Sequence, residues 1–280
     1  METNDIVNYG QTDFNLPHDV LELPSGGIFY KSKKKSVKIG YLTASDENIL
    51  LNNDSRKSIK EAIVLPLLRN KLYERELRPE ELLEGDVESI LIFLRNTSFG
   101  PEYKLSVEDP KTGKQFETSI MLDRMNIVQS KEKPNDDGTF TLTLPFSKNT
   151  VKVKFLSLYD TIEIDKILDS YPAGRVTPTV TTRLNRMVVE LNGNPDRNDI
   201  STFCENMPIG DSKHIRNFLR DNEPRLDLKK EIVAPSGEKV TVSLAFGVEF
   251  FRPFFWLLKS YIRRILLSCQ TPGSTVRWIL

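Results

Sequence analysis

Apolar residues recur every second position in some stretches and every third or fourth in others, and the two periods divide the chain into strands and helices. Val37, Ile39 and Tyr41 alternate with Ser36, Lys38 and Gly40, the pattern of a half-buried strand. Together with Ile28-Phe29-Tyr30, across a lysine-rich loop, it predicts a first hairpin. Residues 1–20 are polar, with isolated Phe14, Leu16 and Val20, and predict an extended arm. Leu23-Pro24-Ser25-Gly26-Gly27 predicts a turn, because proline fixes one φ and glycine permits a positive one.

From Ser45 to Glu84 the period turns helical. Thr43 or Ser45 can cap a short helix, Asp54 or Ser55 the next, which Pro66 limits or kinks. Pro79-Glu80-Glu81 predicts the start of a third. Asp86 can cap a fourth, with Val87, Ile90, Leu91 and Leu94 on one face and an end before Gly100-Pro101. Tyr103, Leu105 and Val107, then Phe116, Thr118 and Ile120, alternate on either side of the turn Asp109-Pro110-Lys111-Thr112-Gly113. A further hairpin sets Phe140, Leu142, Leu144 and Phe146 against Val151, Val153 and Phe155.

The second half repeats helices followed by a hairpin. Leu158 to Tyr171 and Pro178 to Leu191 read as helices, the latter with Val180, Leu184, Met187, Val188 and Leu191 at helical spacing. Asp199 and Asp211 look like caps of short helices. Leu228 and Ile232, then Val240, Val242 and Leu244, flank the turn Ala234-Pro235-Ser236-Gly237. The predicted class is α+β: helical segments combined with several antiparallel β-hairpins. The recurrence of a Pro/Gly turn at Pro110–Gly113 and Pro235–Gly237 suggests a weak internal duplication, for which chance is an equal explanation. The expected organisation is an arm (1–20), a hairpin, helical and β-hairpin region (21–156), a helical region with a hairpin (157–253) and a basic amphipathic tail (254–280).

Charge and chemistry narrow the function classes. With 39 basic and 39 acidic residues, the chain lacks the excess positive charge of a protein whose main task is coating nucleic acid. A hydrophobic share of 39%, with 15 Phe and 8 Tyr, supplies a real core. The polar start of the chain carries no apolar stretch, so no signal peptide is expected, and no run of about 18 apolar residues predicts a span. Cys204 and Cys269 cannot build a disulfide framework, and with His18 and His214 they offer too few soft ligands for a structural zinc site. The same two histidines leave no base for a hydrolase triad. Gly27 to Ser32 lacks the glycine that a phosphate loop carries before its lysine. The acidic pairs Glu80-Glu81, Glu108-Asp109 and Asp136-Asp137 fall at a helix start or in turns, where capping and solvation explain them. No enzyme, no cofactor and no metal is expected.

Three stretches, in this order, resemble a known family: Leu23 to Tyr30, Gly85-Asp86 through Leu94-Arg95 to Ser98-Phe99-Gly100-Pro101-Glu102-Tyr103, and Phe250-Phe251-Arg252-Pro253, with Tyr41 to Glu47 fitting between the first two. The set is similar to the baseplate hub subunits and hub-assembly proteins of T4-like contractile-tail phages. That resemblance implies a structural subunit or assembly factor of the central hub, acting by protein–protein binding. The implied partners are other hub or tail proteins or further copies of itself, without a small-molecule substrate. The implied location is the virion tail baseplate, or the host bacterial cytoplasm during assembly. Family members with Cys-x-x-Cys-Gly-like turns in the two hairpins depart from this chain, which reads Glu108 to Gly113 and Val233 to Gly237 there; its turns are expected to be held by Pro and Gly geometry alone.

The candidate partner-binding residues are Phe29, Tyr30, Phe99, Tyr103, Phe250, Phe251, Leu258, Ile262 and Ile265, with core burial the plainer role for the aromatic ones. After Glu249 the chain holds no acid, and Leu258, Tyr261, Ile262, Ile265, Leu266 and Cys269 share one helical face, with Lys259, Arg263 and Arg264 on or near the other. Such a tail suits another subunit, an anionic membrane or the chain's own core. The alternative function is a nucleic-acid or anionic-membrane module using Lys31–Lys38 and this tail.

Overall fold

The computed structural model describes residues 17–51, 56–172, 174–244 and 250. The fold is mixed α+β, with small antiparallel sheets around a long central helix. Strand β1 (His18–Glu22) pairs with β2 (Ser36–Gly40), Leu21 opposite Val37. The partner of β2 is therefore the chain at the end of the expected arm, and Ile28-Phe29-Tyr30 lies instead in a run of turns. Glycine geometry explains the difference. Gly26 and Gly27 both take positive φ, and a Cβ on Gly27 would lie 2.2 Å from the Lys34 carbonyl oxygen, so this segment coils where a strand must extend.

Helix α1 (Ala44–Leu50) starts at Thr43, whose N–H donates to the Asp46 carboxylate at 2.7 Å in a capping box. Asp46 also forms a buried ion pair with Lys71 at 2.5 Å. A π-helical turn over Lys60–Val64 runs into α2 (Leu65–Lys71). Pro66 accounts for the wide turn, since it offers no N–H and its ring crowds the carbonyl four residues back. The candidate caps Asp54 and Ser55 lie outside the described residues. Pro79–Glu81 forms one 3-10 turn where the sequence predicts a third helix. Helix α2 is followed in the core by α3 (Glu84–Phe99), with Ile90 and Leu94 fully buried.

The alternation read from the sequence sets the registers of the hairpins. In β3 (Glu102–Glu108) and β4 (Gln115–Met121), Tyr103 faces Ile120, Leu105 faces Thr118 and Val107 faces Phe116. After β5 (Ile127–Val128), β6 (Phe140–Thr143) pairs with β7 (Thr150–Val153), Phe140 opposite Val153. Helix α4 (Leu158–Asp169) carries a Ser157 N-cap and its capping box.

Helix α5 (Thr179–Met187) is shorter than the periodicity predicts, because Val188 leaves it to begin β8 (Val188–Leu191), the third strand beside β7. Val188 and Val189 are β-branched, and the free edge of β7 offers them ladder hydrogen bonds. Tertiary pairing thus overrides local period. Helices α6 (Arg197–Asn206) and α7 (Ile209–Asn222) lead to β9 (Arg225–Leu226), which pairs with β5. The N-cap of α6 is Asp196, not Asp199: its carboxylate accepts from the N–H groups of Asn198 and Asp199. The described chain closes on the hairpin of β10 (Lys229–Val233) and β11 (Lys239–Ser243), Ile232 opposite Val240. One buried cluster runs from Leu23 through α3 to Leu244 and Phe250, and the pairs β7–β8 and β5–β9 tie the two halves of the chain together.

Candidate functional site

The motifs that carry the family resemblance meet at two buried polar nodes along α3. At its first turn, Asp86 caps no helix end. Its carboxylate accepts the Ser25 N–H at 2.9 Å and the Tyr30 hydroxyl, while the Tyr30 oxygen accepts the Leu83 N–H at 3.0 Å. Burial pushes the Asp86 carboxyl up, against the hydrogen bonds from Ser25 and Tyr30 that pull it down. Burial, and then the Asp86 charge, push the Tyr30 phenol well above its ordinary value. Beside it, Gly85 allows the segment leading into β9 to approach α3, since a Cβ there would lie 2.2 Å from the Pro224 carbonyl oxygen. The Leu23–Tyr30 turn and the Gly85-Asp86 pair, 56 positions apart between Tyr30 and Asp86, are thus one unit.

At the other end of α3, Arg95 is 5% exposed, and its guanidinium donates to the carbonyls of Gly100 at 2.7 Å and Glu102 at 3.0 Å. It lies 5.1 Å from the ring centre of Tyr103 and 5.9 Å from that of Phe250. The two rings are 5.7 Å apart. A cation at a helix C-terminus, facing carbonyls and aromatic faces, is stabilised without a carboxylate. Burial lowers its pKa. Gly100, at positive φ, ends the helix and delivers its carbonyl to Arg95.

A third node joins the two hairpin tips. Asp109 accepts from the Ser236 N–H at 3.2 Å and the Ser236 hydroxyl at 2.7 Å, and from the Lys111 N–H at 2.9 Å. These bonds, with Ser236 foremost, hold its carboxyl below the usual range. Pro and Gly geometry alone does not hold these turns, contrary to the expectation from their sequences; each tip is also a hydrogen-bond partner of the other.

These placements give most of the candidate aromatic residues structural work. Tyr30 and Phe250 are buried, and Phe29 is half-buried with its ring 4.9 Å from that of Phe155. Phe99 and Tyr103 are half-buried against the core. Phe251, Leu258, Ile262 and Ile265 lie outside the described residues. His18 and His214 are exposed, on β1 and α7. The Cys204 thiol is buried and pushed up to about 11 by that burial, which leaves it unreactive. In the lysine loop, Lys33 donates to the carbonyls of Ile28 and Asp136, and Lys34 pairs with Glu74 at 3.1 Å. Among the described residues no His, Cys, Asp and Glu gather as a metal site, and no helix is long and apolar enough to cross a membrane.

Two surface features have no counterpart in the sequence pattern. An open cleft of about 890 Å³ lies over the first node, with Phe29, Phe155 and Tyr159 among charged rims that include Lys31, Arg78 and Glu80. The turn between β6 and β7 presents Phe146, 68% exposed, beside Ile209, 83% exposed, at the start of α7. That turn is built: Asp211 accepts from the N–H groups of Phe146 at 2.8 Å and Ser147 at 2.9 Å, and the Phe146 ring lies over Gly210. The alternation puts Phe146 among inward-facing strand residues, and the structure corrects this. The turn's support, Asp211 of the Gly210-Asp211 pair, lies 65 positions from Phe146, too far for the local pattern to reveal.

A family model described as T4 bacteriophage base plate protein matches residues 23–252, a span that begins and ends within the motifs held by the two α3 nodes. No curated protein and no solved structure matches the chain.

Proposed function

The chain belongs to the T4 bacteriophage base plate protein family, and from that premise we propose that it serves the central hub of the contractile tail, as a subunit or an assembly factor. Family membership gives it a structural role in a phage baseplate, among other baseplate proteins. The hub assignment rests on one observation: the order of the stretches Leu23–Tyr30, Gly85–Tyr103 and Phe250–Pro253, which resembles hub and hub-assembly proteins. The geometry is in keeping with work done by binding. Its buried charged groups are tied into the scaffold, as Asp86 and Arg95 illustrate, while Phe146 and Ile209 stand exposed on a fixed support. Exposed aromatic anchors on rigid backbone are what protein interfaces use. The half-buried ring of Phe29, at the rim of the cleft, supports a second contact there.

Mass spectrometry of purified particles and of hub intermediates tests the proposal. A permanent subunit appears in both, and an assembly factor in the intermediates alone. A chain found in neither, or found only at the baseplate periphery, overturns it. The lysine loop does not favour the nucleic-acid or membrane reading, since Lys33 and Lys34 already have partners within the chain.

A further inference from the structure

An apolar groove of about 300 Å³ runs beside α3, between the π-helical turn and α4. Ile59, Val64, Val87, Leu91 and Leu158 line it, with the acids Glu84, Glu88 and Asp165 and one base, Lys60, which pairs with Glu84 at 3.0 Å and leaves an excess of acid. Leu91 is one helical turn from Arg95 on the same side of α3, and Phe250 is stacked on Arg95. Phe250, the last described residue, thus packs on the α3 residue one turn beyond the groove, and 30 of the 280 residues follow it. A stretch of about five extended residues spans the distance of roughly 16 Å from Arg95 to Glu84 along the helix.

Those residues match the groove in both respects. Segment 254–280 contains no acid, carries positive charge at Lys259, Arg263 and Arg264, and interleaves these with Leu258, Ile262 and Ile265. We propose that segment 254–280 of the same chain seats in this groove, with Leu258, Ile262 and Ile265 on the apolar floor and Lys259, Arg263 and Arg264 against Glu84, Glu88 and Asp165. Burial, then the charges of Glu84 and Glu223, push the Glu88 carboxyl up to about 7, so its pairing with the segment strengthens as pH rises through that value. Seating the segment covers apolar residues that an exposed tail would leave in water.

Hydrogen exchange of the full chain, followed by peptide, tests the docking. Amides of 258–266 are expected to exchange about tenfold more slowly than an unstructured segment, independent of protein concentration, and to lose that protection as salt rises. Glu84→Lys with Glu88→Lys abolishes the protection, and adding Arg263→Glu with Arg264→Glu restores it, while the amides of α6 and α7 report that the fold is intact. Carbodiimide coupling of the unaltered chain is independent of folding in the variants: it is expected to join Lys259 to Glu84, Glu88 or Asp165 within one molecule. An unprotected segment, protection indifferent to the groove variants, protection that appears only with concentration or with anionic vesicles, or coupling between two molecules, overturns the proposal.

Discussion

The dipeptide Gly-Asp opens α3 at Gly85-Asp86 and α7 at Gly210-Asp211, and the two copies do opposite things. In both, the aspartate is the third residue of the helix, fully buried, and accepts backbone N–H groups from a distant turn. In both, the glycine admits a close neighbour: the Pro224–Arg225 backbone at Gly85, the Phe146 ring of the turn itself at Gly210. At α3 the turn folds inward, adds the Tyr30 hydroxyl and closes the core. At α7 it folds outward and holds Phe146 in solvent. One local device thus serves to seal an interior in one place and to fix a surface anchor in the other. What decides is what the loop brings: a tyrosine that reaches the carboxylate, or a phenylalanine that cannot.

The glycines separate the two sites most sharply. A Cβ on Gly85 would meet the Pro224 oxygen at 2.2 Å and the Arg225 Cα at 2.8 Å, both backbone. Gly85→Ala is expected to cost about 3 kcal/mol or more, read as loss of folded protein or a collapsed denaturation midpoint. A Cβ on Gly210 would meet only the Phe146 ring, at 2.1 Å, and that ring is free to turn into solvent. Gly210→Ala is expected to cost less than about 1 kcal/mol. Equal costs would break the contrast.

The aspartates come next. Asp86→Ala strands a buried tyrosine hydroxyl and the Ser25 N–H, for a loss of about 3 kcal/mol in urea denaturation. Asp211→Ala strands two amides near the surface, where water can replace the carboxylate, for about 1 kcal/mol.

Their pH responses have opposite signs. Asp86 is raised by burial despite its hydrogen bonds, so its contribution is full below the unfolded carboxyl pKa and is lost as pH rises through its folded value. Asp211 is also raised by burial, but the amides of Phe146 and Ser147 outweigh this and lower it. Its contribution is present above the unfolded pKa and is lost as pH falls through the folded one. Melting curves over the acidic range should show Asp86→Asn removing a slope of one sign and Asp211→Asn a slope of the other.

Local pattern makes the hairpins legible. The pairing of Tyr103 with Ile120 and of Phe140 with Val153 follows from alternation within a few residues of a turn. The nodes are not legible, because their partners are set by the fold. Asp86 and Asp211 each sit where a helix cap is plausible, and nothing nearby in sequence says that Ser25 or Phe146 will take the carboxylate instead. Asp109 and Ser236 are 127 positions apart. The recurrence of Pro/Gly turns marks both tips without revealing that they touch. Val188 departs from its helical spacing for the same reason: that spacing is local, and the open edge of β7 is not.

The smallest effect on stability carries the most information about function. Phe146 is 68% exposed, so Phe146→Ala removes little buried surface and is expected to change stability by no more than about 0.5 kcal/mol. If the outward-facing copy of the device exists to present an anchor, the same substitution should lower incorporation into baseplate intermediates by about tenfold or more, the scale of losing an interface hot spot. Asp211→Ala should share part of that loss, because it frees the turn without deleting the ring. Tyr30→Phe, which alters the sealed site, should weaken the fold and leave incorporation per folded molecule unchanged. A Phe146→Ala chain that assembles normally would mean that α7's Gly-Asp pair merely closes a loop, and that the contrast with α3 is one of position alone.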